Sequence, residues 1–186
     1  MDSFISWVGG KKALRKKILA QFPQDYKRYI EVFGGAGWML FAGERRVDLE
    51  VYNDIDGRLV NLFRCVKYHP DALQKELEWI HTSREMFSDT RQDIHGLTDI
   101  QRAARFYILI RCSFGADLHS FGARKRDMEK AVHYLRDVSH RLNKVVIEHM
   151  DFEHLIKVYD RPDALFYLDP PYLHAEGYYV AEFGAE

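Results

Sequence analysis

Residues Arg28-Tyr-Ile-Glu-Val-Phe-Gly-Gly-Ala-Gly37 decide the fold. A short β-branched and aromatic run stops abruptly at Gly34-Gly35-Ala36-Gly37, which reads as a strand followed by a glycine turn. Working outward, Trp38 to Arg45 has a helical pattern, and Leu49-Glu-Val-Tyr52 makes a second strand that closes on Asn53-Asp54. Leu59 to Lys67 is again helical and is stopped by His69-Pro70. Upstream, Lys11 to Phe22 puts Leu14, Ile18 and Leu19 on one face, and Pro23 ends it. From residue 70 to about 143 the character changes to three helical stretches, near 71–82, 98–113 and 127–143, with a turn-rich segment from Ser113 to Arg126 between the last two. Two further strands follow, Lys144–Glu148 and Ala164–Leu168. Strand, glycine turn, helix and strand, resumed after an all-helical middle, predict an α/β sheet with an inserted helical subdomain. The sheet domain would take residues 1–69 and 144–186, and the insertion 70–143.

The 186 residues suit one domain with a sizeable insertion, and about 70% of the unfolded surface of such a chain is buried on folding. Hydrophobic residues make up 47% and charged residues 30%, which excludes a wholly disordered or collagen-like chain. Apolar runs such as Phe106–Ile110 are far too short to span a bilayer, and Met1–Trp7 lacks the layout of a signal peptide. Cys65 and Cys112 match neither a disulfide framework nor a metal-ligand spacing, so a reducing, cytoplasmic setting is expected and no metal site. A net charge of −1 carries no global sign of nucleic-acid binding, so that case must rest on local clusters.

Two constellations carry chemistry. The glycine turn after a strand lets backbone approach a ligand closely, and Asp54, closing the next strand, can accept both hydroxyls of a ribose. The same two features also fit a tight turn with a strand-capping aspartate. Asp169-Pro170-Pro171-Tyr172, at the end of an apolar strand, is more specific. Successive prolines remove two N–H donors and leave carbonyls as acceptors beside one carboxylate and one aromatic face. A carboxylate and a carbonyl together can accept both hydrogens of a planar amino group while the ring stacks on its heterocycle.

Trp7-Val-Gly-Gly-Lys11, Phe33-x-Gly-x-Gly37, Asn53-Asp54 and Asp169-Pro-Pro-Tyr172, in that order, closely resemble the Dam-type, alpha-class N6-adenine DNA methyltransferases. The resemblance covers nearly the whole chain. It implies a Rossmann-like sheet binding S-adenosylmethionine, with the helical insertion recognising double-stranded DNA. Trp7 and Lys11 would contact the cofactor from the N-terminal segment, Phe33, Gly35 and Gly37 would wall its methionine part, and Asp54 would hold its ribose. Asp151-Phe152 resembles the family's adenine-contacting pair. Asp169, which also borders the cofactor, and the Pro170 carbonyl would bind the N6 amino group of a flipped adenine, with Tyr172 stacked on the base. Acceptors on RNA or protein amino groups, and a binding remnant without turnover, are the alternatives.

Phe114 sits where the family carries an aromatic wedge, and Arg124-Lys125-Arg126 would contact phosphates. The GATC-recognising branch has an aromatic-Asn-Gly and then an arginine that reads guanine; here Phe114-Gly115-Ala116 is followed by His119 at the arginine's place. The resemblance therefore implies the reaction class and leaves the DNA word open. Arg111 fits a DNA contact or an internal ion pair equally. Lys12, Lys16 and Lys17 read as a solvated face, and Trp79, Phe106 and Tyr107 as core of the insertion. Ala164–Leu168 is apolar at every position, as an interior strand would be, yet 18 residues follow it with no further strand among them. C-terminal strands are therefore expected to be missing, and an uncovered edge there would favour self-association.

Overall fold

A computed structural model describes residues 1–79, 83–92, 95–122 and 127–171. Tyr172 and the basic run Arg124-Lys125-Arg126 lie outside the described residues. Chain contacts divide the molecule into a sheet unit, residues 1–3, 9–60 and 144–186, and a helical unit, residues 4–8 and 61–143.

The sheet unit is built on four parallel strands, β1 (Arg28–Glu31), β2 (Leu49–Asn53), β3 (Val145–Glu148) and β4 (Ala164–Tyr167), in the order β3-β2-β1-β4. Each strand is one or two residues from its expected span. The in-register pairing of Ile30 with Val51 and Phe166 sorts side chains cleanly between the two faces. On one face Ile30, Val32 and Val51 pack with Leu155 of α7 (Phe152–Tyr159), joined by Phe33, Val146, Phe152 and Phe166. On the other lie Tyr29, Glu31, Glu50 and Tyr52, all buried, under Phe22 and the guanidinium of Arg46. β4 is at the edge of the described sheet, and all four of its residues are half-buried rather than enclosed on both faces.

Two expected helices come out differently. Lys11–Phe22 contributes only α1 (Arg15–Leu19), which has no capping side chain and no buried residue, so little favours extending it. Trp38–Arg45 is a series of turns. Its apolar residues are buried as a helical pattern would require, and the Phe41 N–H makes one helical bond to the Gly37 carbonyl at 2.9 Å, with the Met39 and Leu40 N–H groups capped by the Glu31 carboxylate. Beyond that turn the Met39 carbonyl accepts from the Ala42 N–H at 3.3 Å and from Arg46 at 2.8 Å.

The helical unit holds α3 (Pro70–Glu78), α4 (Arg84–Thr90), α5 (Asp99–Cys112) and α6 (Met128–Leu142), with most of α2 (Gly57–Tyr68) leading in. Thr98 and Gln101 form a reciprocal capping box on α5, and Asp127 caps α6 by accepting from the Lys130 N–H at 2.9 Å. Phe106 and Tyr107 are core residues as expected, whereas Trp79 is 76% exposed. The physical reason is the helical period: α3 buries Leu73 and Leu77, and a residue two positions beyond Leu77 points to the opposite side. The short helices α4 and α7 go beyond what the sequence pattern predicts. Each begins at a side-chain cap, Ser83 accepting from the Met86 N–H at 3.0 Å and Asp151 from the Glu153 N–H at 2.9 Å. Among the described residues no helix is long and apolar enough to cross a membrane.

Candidate active site at the carboxyl edge of the sheet

The chain runs outward from β1 to β2 to β3 and then returns to the other side of β1 for β4. In an open parallel sheet, ligands bind where that direction reverses, outside the carboxyl ends of the strands. Here the reversal lies between β1 and β4. The glycine turn leaves one side of it and Asp169 the other.

The turn is fixed by three successive residues of β2 and its exit. The Tyr52 hydroxyl donates to the Gly35 carbonyl at 2.8 Å, the Asn53 carbonyl accepts from the Gly34 N–H at 2.8 Å, and the Asp54 carboxylate accepts from the Gly35 N–H at 2.7 Å. Gly34 lies on the Tyr52 ring so closely that a Cβ there would fall 2.3 Å from a ring carbon. Gly35 and Gly37 instead have φ of 50° and 67°, in the left-handed region that glycine enters without strain. The N–H groups of Gly34, Gly35 and Gly37 are thus used inside the protein, and no helix begins at Trp38 to add a dipole. This corrects the expectation that a helix over Trp38 to Arg45 follows the glycine turn.

Asp54 is half-buried, with its second oxygen accepting from the Asp56 N–H at 2.8 Å. Burial pushes its carboxyl up to about 6 against those hydrogen bonds, with the neighbouring Asp56 charge adding to the rise. The Ile55 N–H also bonds this carboxylate, so three of its roughly four acceptor directions are taken by backbone. Beside it the rings of Phe33 and Phe152 stand 5.9 Å apart, and Asp151, exposed, caps the helix that carries Phe152. Across the reversal, the Lys11 ammonium pairs with the Asp169 carboxylate at 2.7 Å and donates to the Gly9 carbonyl at 2.8 Å. Asp169 is half-buried and Pro170 exposed.

Seven of the residues expected to hold the cofactor therefore belong to one unit and gather at one edge of its sheet: Lys11, Phe33, Gly35, Gly37, Asp54, Phe152 and Asp169, with Asp151 on the same helix start. Trp7 belongs to the helical unit, where its ring meets Phe106 edge-on at 6.0 Å. Sequence reasoning reaches neither the Lys11–Asp169 pair nor the burial of Glu31 and Asn53. S-adenosylmethionine offers a ribose diol, an adenine ring and charged amino-acid groups. A carboxylate at a strand end, two phenyl rings tilted by 34° and an ion pair, beside a turn too tight for a Cβ, fit that set of groups.

In the helical unit Phe114 is 68% exposed on a short 3-10 turn (Phe114–Ala116). The turn is closed by the Phe114 N–H on the Ser120 carbonyl at 2.8 Å and the Gly122 N–H on the Cys112 carbonyl at 2.7 Å. Asp117 gathers the N–H groups of His119 and Ser120 at 2.9 and 3.0 Å, leaving the His119 side chain exposed. Arg111 is half-buried, and its Nε is buried without a hydrogen-bond partner among the described residues.

Comparison with known proteins matches residues 7–184 to the sequence model of the D12 class N6 adenine-specific DNA methyltransferases. A type II methyltransferase, M1.LlaDCHI of Lactococcus lactis subsp. cremoris, is 28% identical over 188 residues, covering 91% of this chain and 65% of that protein. A DNA adenine methylase of Haemophilus influenzae is 28% identical over 207 residues, covering 97% of this chain and 69% of the relative. The chain thus spans about two thirds of the length of these relatives. Motif order, the reversal point of the sheet and the family match agree, and the chain belongs to the D12 class N6 adenine-specific DNA methyltransferase family.

Proposed function

We propose that the chain transfers a methyl group from S-adenosylmethionine to the exocyclic N6 of adenine in double-stranded DNA. What supports this most is the position of Asp169. Its carboxylate lies at the exit of β4, across the sheet's reversal from the glycine turn, with Lys11 as its counter-ion. Asp54 takes the ribose hydroxyls, and Phe33 and Phe152 enclose the adenine of the cofactor.

The target base is turned out of the duplex, since its N6 is out of reach in the stack. Asp169 and the Pro170 carbonyl each accept one N6 hydrogen, which directs the nitrogen lone pair toward the cofactor. Tyr172, outside the described residues, stacks on the base. Bound there, S-adenosylmethionine would supply an electrophilic sulfonium methyl to that lone pair, with the thioether as leaving group. One N6 proton is then lost, and Asp169 is placed to accept it. No residue becomes covalently modified, so the contribution is positioning and electrostatics. The helical unit would meet DNA through Phe114, His119 and the basic run 124–126. The β4 edge is a further candidate for contact between two copies of the chain.

The test is transfer of labelled methyl to mixed-sequence duplex DNA, followed by digestion to nucleosides, with Asp169→Ala in parallel. Label in N6-methyladenine that drops about a hundredfold or more in the variant is expected. Label on RNA or protein in place of duplex DNA would overturn the acceptor. No label on any acceptor, with cofactor still bound, would make the chain a binding protein without turnover.

A further inference from the structure

Asn53 is 2% exposed, and its side chain spans the carboxyl ends of three strands. Its Nδ2 donates to the Val32 carbonyl at 2.9 Å, beyond β1, and to the Met150 carbonyl at 3.0 Å, beyond β3. Its Oδ1 accepts from the Met150 N–H at 2.8 Å, and its own carbonyl accepts from Gly34. Two carbonyls facing one end and an N–H facing the other fix the amide's orientation without ambiguity. Each group it holds is next to a residue of the candidate site: Val32 precedes Phe33, Met150 precedes Asp151 and Phe152, and Asn53 itself precedes Asp54.

We infer that Asn53 is the positioning residue of the cofactor site, setting the mutual placement of Phe33, Asp54 and the Asp151-Phe152 pair by hydrogen-bonding the three strand exits to one another. This rests on the proposed S-adenosylmethionine role of that edge. No other residue type fits the place. Aspartate would keep the bond from the Met150 N–H but set an acceptor oxygen in place of Nδ2 against both carbonyls, serine can reach at most one of them, and leucine, though similar in volume, would leave all three backbone groups unpartnered.

The experiment is equilibrium binding of S-adenosylmethionine and, separately, of duplex DNA by the full chain and by Asn53→Asp and Asn53→Ser. Val145→Ala, at the amino end of β3 and away from the site, serves as a control of comparable melting-temperature loss. Cofactor affinity is expected to fall about tenfold or more in Asn53→Asp, and less in Asn53→Ser, with DNA affinity held. Val145→Ala should keep both affinities. Equal cofactor affinity in folded Asn53 variants and wild type would overturn the inference, as would an equal loss in Val145→Ala. Wild-type chain that does not bind S-adenosylmethionine would instead defeat the functional reading beneath it. Should both Asn53 variants fail to fold, hydrogen exchange of the Met150 amide in the wild type decides: slowing on cofactor addition supports the tie, and an unchanged rate overturns it.

Discussion

The carboxyl edge of the sheet and the 112–122 turn of the helical unit are built on opposite plans. At the sheet edge almost every polar group is committed: Tyr52, Asn53 and Asp54 in succession hold the glycine turn, and Asn53 also ties β1 to β3. In the turn, three backbone bonds and one aspartate hold an exposed phenyl ring, and two residues other than glycine, Ala116 and Leu118, have φ of 62° and 61°. The lesson is about what each would meet. A small cofactor with a fixed arrangement of hydroxyls, ring and charges rewards a frame that does not move. A polymer that must itself be deformed is met by a projecting group on a local turn.

Glycine gives the sharpest way to break that contrast, because Gly34 and Gly115 are needed for different reasons. Gly34 is needed for space. In Gly34→Ala the new Cβ would sit 2.3 Å from a ring carbon of Tyr52, which is fully buried and bonded through its hydroxyl, so neither side can yield. A loss of about 3 kcal/mol or more is expected on thermal or urea unfolding, with partial recovery in Gly34→Ala/Tyr52→Leu, where the ring is gone. At Gly115 a Cβ would meet nothing within 4 Å, but the backbone there has a φ of 61°. Gly115→Ala should cost only about 1 kcal/mol, as strain, and no partner substitution should restore it. Equal losses at both positions would dissolve the distinction.

How much of this can be read beforehand follows from where the partners lie. The strands are legible because a parallel sheet covered on its faces demands short apolar runs, and Asp54 and Asp169 are legible because each directly ends such a run. Trp38–Phe41 misleads because its apolar pattern suits a helix. One helical bond does form, from the Phe41 N–H to the Gly37 carbonyl, but the Met39 carbonyl is then shared between Ala42 and the Arg46 guanidinium, a contact that periodicity does not register. Asn53 is visible beside Asp54, but its role depends on Met150, 97 residues away. The α7 start carries a readable cap at Asp151, a residue whose resemblance to half of a ligand-binding pair draws attention away from its capping role.

Glu31 tests the committed frame by titration. Burial pushes its carboxyl from 4.5 to about 7, against the Tyr29 hydroxyl at 2.9 Å, the Leu40 and Met39 N–H groups and the charge of Arg46. A raised folded value means the native state keeps a proton that the unfolded state has lost. Stability contributed by this group is therefore present below pH 4.5, falls as pH rises through the interval and levels off above about 7. The drop is about 3 kcal/mol in all, and Asp54, raised from 3.8 to about 6, slopes the same way. Glu31→Gln should flatten the melting-temperature profile between pH 5 and 7.5 by roughly half, since the slope from Asp54 is present in both proteins and cancels in the difference. Parallel profiles would show that Glu31 is charged in the fold throughout, and that Arg46 compensates its burial.

The smallest effect on stability is expected at the other pole of the comparison. Phe114 is 68% exposed, so truncating it returns little apolar surface to water, and the bonds closing its turn are made by backbone groups that Phe114→Ala keeps. Its unfolding free energy should stay within about 0.5 kcal/mol of wild type. A ring held outward for insertion into a base stack would nonetheless be missed by the duplex: DNA binding and methyl transfer should weaken while S-adenosylmethionine affinity is unchanged. Phe114→Tyr or Phe114→Trp, which keep a flat ring, should restore most of both. A large fall in melting temperature would mean that the ring packs in solution, and the projecting-group half of the contrast would go with it. Unchanged stability with unchanged DNA binding would leave the ring exposed but without the role its exposure suggests, and the search for the wedge would move to another side chain of the same turn.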